Sequence, residues 1–161
     1  MAPRKKNKDP LHKVVADNRS ARFHYALGEK IEAGIMLHGT EVKSLRQGRV
    51  NLSEAYVGIQ GSDVFLINSN IPEYLQANRF NHEMRRPRKL LLHRQEINRL
   101  LGKTREKGFS LVPLKIYFAR GKAKVELVLA SGKKLYDKRQ DLAERDAKRD
   151  MERALRDRQK E

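Results

Sequence analysis

The chain contains neither cysteine nor tryptophan. Without cysteine there are no disulfides and no thiolate metal sites, and a structural zinc centre is not expected. Phenylalanine and tyrosine together make only 6% of residues. That leaves few flat faces and argues against a single-strand binder that works mainly by stacking bases. No window approaches the roughly 20 apolar residues of a membrane span. The basic N-terminus has no apolar stretch behind it, so no secretory signal is expected, and the reading is a cytoplasmic protein. The phosphate-loop, dinucleotide and nucleophile-elbow glycine patterns are all missing. His12, His24, His38, His82 and His93 lack the i, i+3 or i, i+4 spacing of helical metal ligands. The expectation is therefore no catalytic residue, no metal, no cofactor and no enzyme.

What is abundant is positive charge. The 161 residues carry 36 Lys and Arg against 20 Asp and Glu, a net +16. Residues 137–161 hold nine of the basic and eight of the acidic residues, so residues 1–136 carry 27 against 12 and nearly all the excess. A body this basic repels itself unless it meets a polyanion, and nucleic acid is the commonest one.

Residues 1–17 hold Arg4, Lys5, Lys6, Lys8 and Lys13 among few apolar residues and read as a disordered arm. From Phe23 the apolar residues alternate through Tyr25, Leu27, Ile31, Ala33, Ile35 and Leu37. This predicts a long strand bent or bulged at Gly28 and Gly34. Thr40 is a plausible N-cap and Gly48 a plausible C-cap for a short helix, with Val42 and Leu45 on one face and Lys43 and Arg46 turned outward. Tyr56–Ile59, a turn at residues 60–63 and Val64–Ile67 read as a β-hairpin. The polar stretch 68–88 is too long for an idle connection. Leu90, Leu91, Leu92, Ile97, Leu100 and Leu101 read as an amphipathic helix ended by Gly102. Two strands follow. The first places Val112, Leu114, Ile116 and Phe118 on one face, with Pro113 at an edge or bulge. The second turns Val125, Leu127 and Leu129 inward. Five or six short strands, two or three helices and no βαβ alternation predict a mainly β fold with flanking helices, a small OB-type closed antiparallel barrel.

Residues 132–161 form the tail. Ala143, Ala147, Met151, Ala154 and Leu155 recur at helical spacing, but the stripe is thin. At spacing four from Asp137 onward, five opposite-charge pairs such as Glu144–Lys148 face six like-charge pairs such as Arg145–Arg149. Each is worth roughly 0.2–0.5 kcal/mol, so they nearly cancel. The tail is expected to be conditionally helical, without stable helix in the free chain.

Scarce aromatics beside clustered basic residues favour recognition of a folded RNA by shape, phosphates and 2′-hydroxyls. Glu32 among those basic residues makes sense if it accepts a hydrogen bond from a base amino group or a 2′-hydroxyl. Two other readings are open on chemistry: a ribosomal or assembly protein bound permanently to rRNA, and a nuclease with magnesium held by Glu29, Glu32 and Glu41.

Five blocks carry a resemblance. Asn18-Arg19-x-Ala21-Arg22, Glu32-Ala33-Gly34-Ile35, residues 39–46 (GTEVKSLR), Arg88-Lys89-Leu90-Leu91-Leu92 and Gly132-Lys133-Lys134-x-Tyr136-Asp137-Lys138-Arg139 closely resemble the SsrA-binding protein (small protein B) family. The resemblance implies an OB-type RNA-binding barrel over residues 18–131 and a ribosome-engaging tail over 132–161. It implies binding to the tRNA-like domain of transfer-messenger RNA (tmRNA) and delivery of that RNA to stalled ribosomes for trans-translation. The tail would fold as a helix in the empty message channel near the decoding centre, and the protein, a monomer, would work alongside alanyl-tRNA synthetase and elongation factor Tu. The matching RNA-contacting positions are Asn18, Glu32 and Leu91, with Arg19, Arg22, Lys43, Arg46, Arg88 and Lys89 around them. The ribosome-contacting positions run from Gly132, Lys133 and Lys134 through Tyr136, Asp137, Lys138 and Arg139. Arg145, Lys148, Arg149 and Arg153 continue them along the tail. Replacing Asn18 or Glu32 is expected to weaken tmRNA binding with the fold intact.

Overall fold

The structure is a computed structural model that describes residues 12–77, 80–106 and 108–159. Most of the expected arm lies outside those residues, but its last part is not an arm. His12–Asp17 forms strand β1 on the sheet edge, with Val15 and Ala16 packed against the core, so two modest apolar side chains suffice to dock it. A six-residue helix, α1 (Arg19–His24), follows where the alternation predicts the start of a strand. It is too short to show a period. Asn18 starts it, its Oδ1 accepting the Ala21 amide at 3.1 Å.

Strand β2 then runs from Tyr25 to Ile35 and buries Ile31, Ala33 and Ile35. Its bulge lies between Leu27 and Lys30, at Gly28. A Cβ there would stand 2.8 Å from the Leu129 carbonyl oxygen, so glycine lets two backbones meet. Gly34 sits within regular pairing instead, opposite Leu91. Helix α2 (Gly39–Arg46) is capped at its start by Glu41, whose Oε2 accepts the His38 amide at 2.7 Å. Thr40, the expected cap, bonds His82 instead. Gly48, with φ +75°, supplies the left-handed residue after the helix.

The hairpin is as expected: β3 (Tyr56–Gln60) and β4 (Asp63–Ile67) around Gly61, φ +62°. The triple leucine divides differently. Leu90 and Leu91 belong to β5 (Arg88–Leu91), and helix α3 (Arg94–Arg105) starts later and runs through Gly102. Strands β6 (Phe109–Ala119) and β7 (Lys122–Gly132) complete the sheet. Pro113 lies at a bulge and not at an edge, because β6 is flanked by β1 and β7. The bulge splits the predicted face. Ile116 and Phe118 join the main core, whereas Val112 and Leu114 turn outward to a second cluster with Ala21 of α1.

The seven strands lie in the order β1-β6-β7-β2-β5-β4-β3, all pairings antiparallel. The sheet curls until β3 comes back against β6, and that seam closes the barrel by packing without a ladder among the described residues. The expected fold class stands, with more strands than the sequence suggests. The tail is one helix, α4 (Leu135–Arg158), with no buried residue. No helix among the described residues is long and apolar enough to cross a membrane.

Candidate nucleic-acid interface

Three groups of candidate residues occupy three places. The first is an outer face of the sheet. Glu32 and Gly34 of β2, Leu91 of β5, Lys124 of β7 and Arg99 of α3 line one open depression. Strand geometry turns Glu32 and Gly34 to the same side. Leu91 pairs with Gly34, and a Cβ on Gly34 would come within 3.2 Å of the Leu91 Cβ, so the glycine makes room for a leucine left 51% exposed. The Glu32 carboxylate accepts hydrogen bonds from the Lys124 ammonium and the Tyr117 phenol. Burial, with Glu32 adding to it, pushes the Tyr117 phenol well above its ordinary range, so it remains a donor.

The second group surrounds α2. Lys43 and Arg46 are exposed as expected, Lys43 over the Tyr74 ring at 5.4 Å and Arg46 over the Phe118 ring at 5.9 Å. Arg88 is different: it is completely buried. Its Nε donates to Glu41 Oε1 at 2.8 Å, and its other nitrogens donate to the Ser69 carbonyl and hydroxyl and to the Met84 carbonyl. Arg86 adds a two-point contact with the same carboxylate, at 2.8 and 2.6 Å. Burial pushes the Glu41 carboxyl up, but Arg86, the His38 amide and Arg88 more than offset it and hold it below the carboxylate range. Burial pushes the Arg88 guanidinium down, opposed by Glu41. Arg88 therefore clamps the barrel and keeps its charge away from the surface. Lys89, half-buried beside it, pairs with Asp63 at 3.0 Å and keeps to the surface.

The third group joins α1 to α4. Lys133 donates to the Arg22 carbonyl at 3.1 Å and pairs with Asp141. Its amide donates to the His24 carbonyl, and Arg145 lies over the Phe23 ring at 5.5 Å. Arg22 pairs with Asp17 at 3.0 Å. Arg22 thus belongs with the base of the tail and not with Glu32, and Arg19 is exposed on the same short helix. Beyond this base α4 stands away from the body. Tyr136 is 75% exposed, and Lys134, Asp137, Arg139, Lys148, Arg149 and Arg153 are exposed as well.

Asn18 also departs from expectation. It is buried, its Nδ2 donating to the Leu52 and Pro113 carbonyls at 3.1 Å each, and its backbone amide donating to Leu114 at 2.7 Å. Both ends of the amide are used inside the protein, where they hold the β6 bulge and start α1. The three acids of the nuclease reading are separated by their partners: Glu29 with Arg99, Glu32 with Lys124 and Tyr117, Glu41 with Arg86 and Arg88. Among the described residues no group of three acids, histidines or cysteines is placed to hold a metal. Tyr117, Lys124 and Arg99 were not among the sequence candidates. The register of three neighbouring strands brings the first two to Glu32, and no local pattern carries that information.

Comparison with known proteins shows the family. A family model described as SmpB protein matches residues 15–157. A curated SsrA-binding protein of Methylobacterium sp. (strain 4-46) is 59% identical over 158 residues, 98% of this chain and 99% of that one. The SsrA-binding protein of Moorella thermoacetica is 60% identical over 149 residues, 92% of this chain and 96% of that one. A solved chain described under "tmRNA-SmpB: a journey to the center of the bacterial ribosome" superposes with a TM-score of 0.65 at 50% identity, covering 76% of this chain and 86% of that chain.

Proposed function

Because the chain belongs to the SmpB protein family, we propose that it binds the tRNA-like domain of tmRNA and delivers it to stalled ribosomes for trans-translation. One observation about this chain carries the reading furthest. Most of the excess positive charge, +10 of the +16, lies in the barrel residues 18–131, while a near-neutral helix of 24 residues leaves the barrel with no buried side chain. One surface suits one RNA, and a separate, unengaged element suits another. Contacts to tmRNA fall to Glu32, Leu91 and Lys124 on the sheet face, with Lys89, Lys43 and Arg46 nearby as phosphate partners. Arg19 is a further exposed basic contact. Asn18, Arg88 and, in part, Arg22 act by shaping the surface. From Gly132, Lys133, Lys134 and Tyr136 onward, the tail engages the decoding centre and empty message channel of the small subunit. Arg145, Lys148, Arg149 and Arg153 face the rRNA phosphates there. The protein works in the cytoplasm beside alanyl-tRNA synthetase and elongation factor Tu, and catalyses no reaction itself.

Sequencing the RNA that copurifies with the protein tests the reading. Enrichment of tmRNA is expected, whereas stoichiometric rRNA without tmRNA would point to a permanent ribosomal protein. Truncation after Ser131 should leave tmRNA binding nearly normal and abolish tagging on stalled ribosomes. If the truncated chain still supports peptidyl transfer to alanyl-tmRNA, the tail has no such role.

A further inference from the structure

We infer that Tyr117 is a positioning residue for RNA recognition: its phenol fixes the carboxylate of Glu32 in one orientation at the sheet surface. This rests on the reading that Glu32 contacts RNA. A glutamate on an exposed strand ordinarily samples several rotamers, and ordering it on binding diminishes affinity. Here the ordering is already built in. Tyr117 on β6 pairs with Lys124 on β7, and Lys124 pairs with Gly34 on β2, two residues beyond Glu32. Three adjacent strands thus bring a phenol, an ammonium and a carboxylate to one patch. The phenol donates to Oε2 and the ammonium to Oε1, so each carboxylate oxygen has its own donor and the plane of the group is set.

The two donors differ in character. Lys124 is a flexible, partly exposed side chain that RNA phosphates can draw away. Tyr117 is only 4% exposed, with its ring held in the sheet beside Val14 of β1. Its raised phenol pKa keeps the proton on the oxygen throughout the neutral range. The buried donor persists whatever the surface lysine does. A recognition group supported by a locked neighbour is the arrangement that preorganised sites require.

A double-mutant cycle on the full-length protein tests this, with a transcript of the tmRNA tRNA-like domain as the probe at one fixed salt concentration. Tyr117→Phe removes one oxygen and keeps the ring. It should lower affinity about fivefold alone and have no further effect in Glu32→Gln, as expected for residues acting through one contact. Glu32→Asp, which keeps the charge but draws it away from the phenol, should lose a similar amount. This second variant keeps the test decisive if Tyr117→Phe melts early. Loss with Glu32→Gln but none with Tyr117→Phe overturns the positioning role and leaves Glu32 as a contact. An equal Tyr117→Phe loss in both backgrounds also overturns it. No loss with Glu32→Gln removes the underlying reading itself.

Discussion

Arg88 Nε and Glu41 Oε1 lie 2.8 Å apart with both side chains fully buried. The pair joins strand β5 to helix α2 across 47 residues of chain, and Arg86 closes over it from the loop side. Lys43 and Arg46 ride on that helix, so the clamp decides where two exposed basic residues stand.

Removing one partner of such a pair leaves a charge with no solvent. Glu41→Ala is expected to destabilise the barrel by about 3–5 kcal/mol, because Arg88 remains buried and uncompensated. Urea unfolding followed by circular dichroism measures it, and a loss below about 1 kcal/mol would mean the arginine escapes to water.

The same carboxylate gives the fold an acid limb. Glu41 ionises below its ordinary value of 4.5 in the folded chain, so the unfolded chain holds more protons in the acid range. Its contribution is complete above pH 4.5 and is lost as pH falls through the lower folded pKa. Urea midpoints of the wild type should drop as pH falls below 4.5, more steeply than those of Glu41→Gln. Parallel slopes would assign the acid limb to other carboxylates.

Asn18→Ala should behave as a folding variant. It loses a helix cap and leaves two buried carbonyls without their donor, for an expected cost of about 2–4 kcal/mol. RNA affinity per folded molecule should stay within about threefold, since Asn18 is buried and both ends of its side-chain amide are bonded inside the protein. Full stability with tenfold weaker binding, a change of about 1.4 kcal/mol, would restore it as a contact.

Helix α4 should open easily despite its regular hydrogen bonds. With no buried residue and with its anchors among the described residues at Lys133, Asp141 and Arg145, amides beyond residue 146 are expected to exchange within about tenfold of the free rate, while those of β7 resist. Strong protection out to residue 155 without RNA would show that the helix is stable alone.

The sequence made some of this plain and concealed the rest for identifiable reasons. The β3–β4 hairpin was legible because alternation and Gly61 agree, and α2 because its exposed face and Gly48 agree. The inward turn of Arg88 was also written in the pattern: it lies two residues before Leu90, so a strand that buries one buries both. Reading Leu90–Leu92 as the start of a helix hid that relation. The tail, expected to be conditionally helical, is the helix α4, whose start is held by Lys133 and α1. Such anchoring is a tertiary contact that pairwise charge sums do not include. The Glu32 patch could not be read locally at all. It depends on a bulge at Gly28, another beside Pro113, and the register that these two set across β6, β7 and β2.

The tail helix has one mechanical consequence. Its 24 residues extend for roughly 36 Å, so a swing of only about 10° at the base carries the far end some 6 Å sideways. The few anchors between α1 and Lys133 therefore act as the pivot of a long lever. Modest adjustments beside the barrel become displacements as large as a nucleotide at the tip.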